Sequence, residues 1–332
     1  MSNGSAGDEP EALSRSAAAW RRARRFGAEH RRPITIVGSI AAAAVLVAIL
    51  WGHRDEFSTA LSSASVGVLL AAAGLQLVAL LARSEGWHIC IEAAGGTVPR
   101  RILYRASSLG YVGSLLSAQV GTAARIAALR RSSPAESPGV STLIAAEFPI
   151  LAVEATLAAL ASFTLVVPLG LPWWLPLVCF AVVLGLSAGL RHLALREGRL
   201  LWSGLAVLRS LRGGGRLLAF ILVAVFAQIS RNWLLLHAVG VDASLLDATA
   251  VLIAMVALTQ LPIGPSTGAA AAVLILGRQG VAAVAAAGVL STATGIAGGL
   301  TFAAWAGADR LWSHVRTRSA PRDHGDGLAE KE

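Results

Sequence analysis

Three charged side chains interrupt otherwise apolar runs of this chain: Arg231, Glu147 and Glu154. A charge at the centre of a bilayer costs at least ~2.5–3.5 kcal/mol on insertion scales unless it faces a partner or a polar cavity. Such residues therefore mark either a binding site or an ion pair that locks helices. Arg231 sits past the middle of its run beside Gln228, Ser230 and Asn232, and the spacing of Gln228 and Arg231 places both on one helical face. Glu147 and Glu154 are seven residues apart and share a face with Leu151. Two chemistries fit: Arg231 holds a lipid phosphate while a carboxylate positions it or reads a cationic group, or Arg231 pairs with Glu147 or Glu154. The residues leave both open.

A second set of candidates lies where apolar runs break. Arg125 is expected to begin the second limb of a helical hairpin, where free N–H groups attract anions; an ordinary interfacial arginine is the alternative. Gln119 and Thr122 could line that break or simply satisfy freed backbone groups. Pro262, Gly264 and Pro265 break a later run and could expose carbonyls to a ligand. Enzyme motifs are absent in substance. Gly185-Leu186-Ser187-Ala188-Gly189 matches G-x-S-x-G literally but lies in an apolar helix with no preceding strand. No H-E-x-x-H occurs, and Cys90 and Cys179 are isolated, so no metal, cofactor or disulfide framework is expected.

The elements that must carry these residues follow from composition. Of 332 residues 55% are hydrophobic and only 14% charged, with a mean hydropathy of +0.65, which excludes an ordinary soluble domain. Apolar runs at 34–51, 64–82, 140–167, 173–190, 217–239 and 280–308 predict six spanning helices. The stretches 102–131 and 248–278 are broken into pieces too short to cross, because 14 helical residues reach only about 21 Å. Placing both termini in the cytoplasm puts 25 of the 28 basic residues on the inner side, provided that the first stretch dips in from the cytoplasm and the second from outside. Segments 52–63, 168–172 and 240–247 and residue Arg278 then face outward. The net charge of +9 is thus read as topology, not nucleic-acid binding. Trp51, Trp173, Trp174 and Trp305 fall at span ends, where aromatic belts form.

Opposed dips predict an inverted repeat. A shift of 145 residues lays Ala93-Ala94-Gly95 on Ala238-Val239-Gly240 and Ser117–Ala124 on Pro262–Ala269. The expected fold is all-α and polytopic, with about six spanning helices plus two re-entrant hairpins, repeat one over about 64–167 and repeat two over about 217–308. A basic tail over 1–33 and a second tail over 309–332, both cytoplasmic and disordered or surface-lying, flank a membrane domain over 34–308. The arginine-rich usage, with Lys331 the only lysine, points to a GC-rich bacterial genome and an inner-membrane location.

The run Arg83–Gly96 with Trp87, then Gly110-Tyr111, Val120–Arg125 and Leu129-Arg130-Arg131, resembles the lysylphosphatidylglycerol synthetase transmembrane-region family of flippase-like proteins. Arg231-Asn232-Trp233, Gly240-Val241-Asp242, Leu261–Gly264 and Gly277–Val281 fit the second half of that pattern. The resemblance implies movement of a lipid or lipid-linked headgroup between leaflets, with Arg125 retained and Glu147 at the family's acidic position. Thr122 and Ala269 stand where the pattern carries hairpin acids. No synthetase domain is expected, since 24 residues follow Ala308. The leading expectation is a non-enzymatic, flippase-like protein that binds an anionic phospholipid or polyprenyl-linked headgroup through Arg231, Arg125, Glu147, Glu154, Gln228, Asn232, Gln119, Thr122, Pro262 and Gly264. The competing one is a scaffold or regulatory partner of a lipid-modifying enzyme or glycosyltransferase. Membrane lipids are the expected ligands in either case.

Overall fold

The computed structural model describes residues 51, 53–114, 118–132, 138–197, 207, 211–258 and 267–319. Among them every regular element is helical. An exposed helix, α1 (Arg54–Ser63), precedes the long α2 (Val66–Ala93). A pair of short helices follows, α3 (Arg100–Ser114) and α4 (Ala118–Ser132), and then α5 (Val140–Ala145), α6 (Glu147–Ala161), a 3₁₀ turn (Ser162–Leu165) and α7 (Val166–Leu169). After α8 (Leu175–Glu197) come α9 (Leu211–Ala238), α10 (Leu245–Leu258), α11 (Thr267–Leu276) and α12 (Val281–Ser319).

Four described segments are long and apolar enough to cross a membrane: Val66–Ala93, Val140–Leu169, Arg212–Ala238 and Val281–Ala308. The first predicted span, 34–51, lies outside the described residues. The predicted span 173–190 becomes α8, but its apolar part, Leu175–Gly189, is a shorter helix. The chain therefore has a multi-pass helical membrane architecture, with fewer full-length spans described than the apolar runs predict.

Boundaries moved where polar residues find partners. The apolar run of α2 ends near residue 82, yet the helix continues to Ala93 because its polar last turns are bonded: Arg83 to Glu154, Glu85 to Arg100 and Tyr104, and the His88 ring to the Val98 carbonyl. Hydropathy ends where the lipid-like environment ends; a helix ends where its backbone is capped. Similarly, α12 runs on past the apolar span to Ser319. The start of α10 follows from a reciprocal cap, in which Ser244 Oγ accepts from the Asp247 amide at 3.2 Å and Asp247 Oδ2 accepts from the Ser244 amide at 2.9 Å.

The 145-residue shift reappears in the backbone. Helices α2 and α9 have 28 residues each and are displaced by 145, and α3 and α10 start 145 apart. Both long helices end on a left-handed glycine, Gly95 at φ 84° and Gly240 at φ 82°. The same two turn bonds close each end: Gly95 N to Glu92 O and Gly96 N to Ile91 O in the first, Gly240 N to His237 O and Val241 N to Leu236 O in the second. Only glycine holds that φ without a Cβ penalty, so both ends of the match at 93–95 and 238–240 place a glycine there.

The two long helices run antiparallel along a seam of small residues. Gln76 meets Gln228, Gly86 meets Leu217, and Ala79 and Ala82 form a buried cluster with Ala224 and Ala227. These alanines are themselves 145 apart in pairs. Small side chains let backbones approach, and dispersion then replaces the absent hydrophobic drive between helices in lipid. Packing is exchanged around the seam: Ala72 of α2 is buried in the core of the second unit, and Leu217 and Ile221 of α9 in the core of the first. Each broken pair stacks beside its own long helix. In the first, Gly110 faces Gly121 and Arg125, and Gly113 faces Ala124, so α3 and α4 are antiparallel. At 15 residues each, they span about 22 Å, short of a ~30 Å hydrocarbon core.

Overpacking the seam should cost the same from either side. Ala82→Leu and Ala227→Leu are each expected to destabilise the protein by about 1–3 kcal/mol. Val78→Leu, on the exposed flank of α2, should stay within about 0.5 kcal/mol. Thermal unfolding of the purified full chain in detergent checks this; an unperturbed Ala227→Leu variant would remove the seam as the inter-unit contact.

Candidate functional site

Arg231 is 5% exposed and lies on the face of α9 that meets α2 and α12. Its Nη1 donates to Gln76 Oε1, and its Nη2 donates to Ser291 Oγ at 3.1 Å. Gln228 Nε2 donates to the same Gln76 oxygen at 2.8 Å, and Ser291 Oγ donates to Asn232 Oδ1 at 2.9 Å. The face predicted for Gln228 and Arg231 is thus real, and both converge on Gln76. Two donors stay spare: Arg231 Nε and Asn232 Nδ2 are buried with no hydrogen-bond acceptor among the described residues.

Glycines on α12 make room for this cluster. A Cβ on Gly295 would meet Arg231 Nη1 at 3.4 Å and the Tyr111 hydroxyl at 3.6 Å. One on Gly298 would press on the Ala73 carbonyl and Gln76 at 2.9 Å, and one on Gly299 would collide with the Tyr111 ring at 1.7 Å. Tyr111, from α3, therefore lies flat in a glycine groove and donates its hydroxyl to the Gly295 carbonyl at 2.8 Å. It covers the Arg231 cluster from the side of the first broken pair.

No carboxylate among the described residues pairs with Arg231. Glu147 pairs with Arg125, whose guanidinium also stacks 4.0 Å from the centroid of Trp87, and Glu154 pairs with Arg83 at 2.7 Å. The expected alternative of an Arg231–Glu147 or Arg231–Glu154 lock is corrected: the acids face α2 and α4, so each meets an arginine there. Arg125 is displaced from its expected place too. The second limb begins at Ala118, and Arg125 lies two turns inside it, away from the free N–H groups of the helix start. Thr122 lies half-buried on the same helix. Pro262 and Gly264, and the side chain of Gln119, fall outside the described residues. Ala269, where the family pattern carries an acid, is buried in an apolar environment.

Sequence reasoning missed Gln76, Ser291, Tyr111 and the three glycines of α12. Gln76 had a signal, being the only polar side chain between Val66 and Ala82. A lone amide in an apolar run must find a partner inside the bundle.

Three expected outcomes follow from these contacts. Arg125 and Glu147 are both mostly buried, so Glu147→Gln strands a cation and should cost roughly 3–5 kcal/mol, with much of it regained in Arg125→Gln/Glu147→Gln. Glu154→Gln should cost no more than about 1 kcal/mol, because Arg83 is half exposed. Gly299→Ala should destabilise by about 1–3 kcal/mol by driving Tyr111 out of its groove, and Tyr111→Ala should relieve the clash. Thermal melts of singles and doubles decide each case.

A family model for the Lysylphosphatidylglycerol synthase TM region matches residues 36–313. Neither curated proteins nor solved structures give a match to this chain. The family match takes in both antiparallel long helices and every residue of the Arg231 cluster, and the chain belongs to the Lysylphosphatidylglycerol synthase TM-region family.

Proposed function

We propose that this protein binds the phosphate of an anionic membrane lipid at Arg231 and moves its headgroup between leaflets. The observation that carries the reading is a buried guanidinium with neutral partners only and a spare Nε donor, beside an equally spare Asn232 amide. A buried cation that no protein carboxylate neutralises among the described residues favours an anionic ligand, and an arginine fork matches a phosphate in two hydrogen bonds. Gln228 and Gln76 orient the guanidinium, and Asn232 supplies a further donor. Arg125–Glu147 and Arg83–Glu154 hold the broken pair and α6 against α2, and Gln119, Thr122, Pro262 and Gly264 are proposed as further ligand contacts. The family's printed name ties it to lysylphosphatidylglycerol synthesis, which supports a phospholipid as the ligand class.

An inverted repeat fits this role. Antiparallel α2 and α9, the matched glycine ends and the exchanged core packing are what two units related by an in-plane two-fold axis produce. Units of that kind alternate access around a fixed central site. The arginine distribution supports both termini in the cytoplasm of a bacterial inner membrane.

The test is lipid movement in proteoliposomes reconstituted with fluorescent phosphatidylglycerol, lysylphosphatidylglycerol, a polyprenyl phosphate or phosphatidylcholine. The wild-type chain should accelerate exchange of at least one phosphate-bearing anionic lipid. Arg231→Gln should slow it by about tenfold or more, and Arg231→Lys by less, because a point charge replaces the fork. Both variants should melt within about 1 kcal/mol of wild type, since no carboxylate is stranded. No acceleration of any lipid by the wild type, or full activity in Arg231→Gln, would overturn transport through Arg231. The buried apolar Ala269, standing where the pattern has an acid, would then favour a scaffold for a lipid-modifying enzyme.

A further inference from the structure

Arg231, Asn232 and Ser291 are buried, whereas Tyr111, the side chain that covers them, is only half-buried. Part of the ring therefore stays accessible while the polar cluster behind it does not. The bond that holds the ring is slight. The Tyr111 hydroxyl donates to the Gly295 carbonyl at 2.8 Å. That carbonyl lies inside the unbroken helix α12, where it also accepts the amide four residues on, so loss of the hydroxyl leaves no backbone group unpaired.

The groove under the ring is filled by the ring itself. The three atoms nearest to a Cβ on Gly299, at 1.7, 2.2 and 2.7 Å, all belong to Tyr111. One helical turn earlier, about 6 Å along the axis, a Cβ on Gly295 would meet Arg231 Nη1 at 3.4 Å and the Tyr111 hydroxyl at 3.6 Å. Gly295 and Gly299 thus line one slot, with the ring in it and the guanidinium at its end.

On its other side α3 is pinned. A Cβ on Gly110 would stand 2.8 Å from the Arg125 Cβ, and one on Gly113 would stand 3.1 Å from the Ala124 Cβ. Helix α3 has no room to retreat towards α4, so the slot is cleared by rotation of the Tyr111 side chain from the last turn of α3 and not by a shift of the helix.

We propose that Tyr111 is the gate of the Arg231 site, its ring swinging out of the glycine slot to admit an anionic phosphate to the guanidinium. The phosphate as ligand rests on the transport reading; the gate does not. The test therefore reads access to Ser291, which contacts the guanidinium, and not lipid movement, so that failure of transport and failure of the gate are told apart. Ser291→Cys is introduced into the full chain carrying Cys179→Ala, with the buried Cys90 left in place. Labelling rates by sulfonatoethyl and trimethylammonioethyl methanethiosulfonate are measured in detergent. With Tyr111 present labelling should be slow. Tyr111→Ala should raise the rate by about tenfold or more, and Tyr111→Phe by less, because the ring stays and only the hydroxyl bond is lost. Gly299→Ala should raise it with Tyr111 still in the chain, by displacing the ring, and should add nothing to Tyr111→Ala. Once the ring is gone the sulfonate reagent should react faster than the cationic one, since the cysteine lies beside Arg231. Fast labelling with Tyr111 in place, or no rise in Tyr111→Ala, would overturn the gate. A preference for the cationic reagent would overturn the assignment of the slot to Arg231. Labelling of Cys90 that rises in step, read in the same chains without Ser291→Cys, would show a loosened bundle and overturn the gate as well.

Discussion

A guanidinium held away from water, with no carboxylate partner among the described residues, constrains everything packed around it. Arg231 satisfies this through acceptors that are dipoles, not ions: Gln76 from α2 and Ser291 from α12. Each of those contacts demands close helix approach. Gly295 gives the guanidinium its space, Gly298 lets α12 touch the α2 backbone, and Gly299 admits the Tyr111 ring. A Cβ at Gly298 would press on the α2 backbone and one at Gly299 would displace the Tyr111 ring, whereas one at Gly295 would reach only ordinary contact with the guanidinium. The small-residue seam of α2 and α9 serves the same end, bringing Gln76 within reach of Gln228 and Arg231 together.

The 145-residue shift that relates α2 to α9 does not carry the polar site with it. Under the 145-residue shift, Arg231 falls on Gly86 and Gln228 on Arg83. Gly86 is buried, with the Leu217 side chain 3.4 Å from where its Cβ would be, so an arginine cannot occupy the equivalent position in the first unit. Arg83 instead points out to Glu154. Helices α2 and α9 share their length and their glycine ends but not their polar contacts: Arg83 and Arg125 pair with Glu154 and Glu147, whereas Arg231 has no carboxylate partner among the described residues.

Local chemistry was legible in the sequence and long-range pairing was not. The shared face of Gln228 and Arg231 depends on neighbours in the chain and could be read from spacing. The partners of Glu147 and Glu154 could not. Arg83 and Glu154 are 71 residues apart, and Arg125 and Glu147 meet across two separate helices. Hydropathy also misplaced the end of α2, because it registers charge but not the partner that makes a charged turn stable. The same blindness hid Tyr111, whose position follows from glycines 184 to 188 residues away.

Neutral coordination of Arg231 has a functional consequence that an ion pair would lack. A carboxylate at this depth would compete with an incoming phosphate on equal electrostatic terms, and displacing it would strand a buried anion at several kcal/mol. Gln76 and Ser291 orient the guanidinium without cancelling its charge, so its attraction for an anion stays nearly whole. Because both are dipoles, they can yield a hydrogen bond to a phosphate oxygen without leaving a bare charge behind. On the proposed transport reading the same argument limits how tightly a phosphate would be held, with one cation lacking a carboxylate among the described residues and no second guanidinium among its direct partners. A transport site requires that limit, whereas a structural ion pair has no need of it.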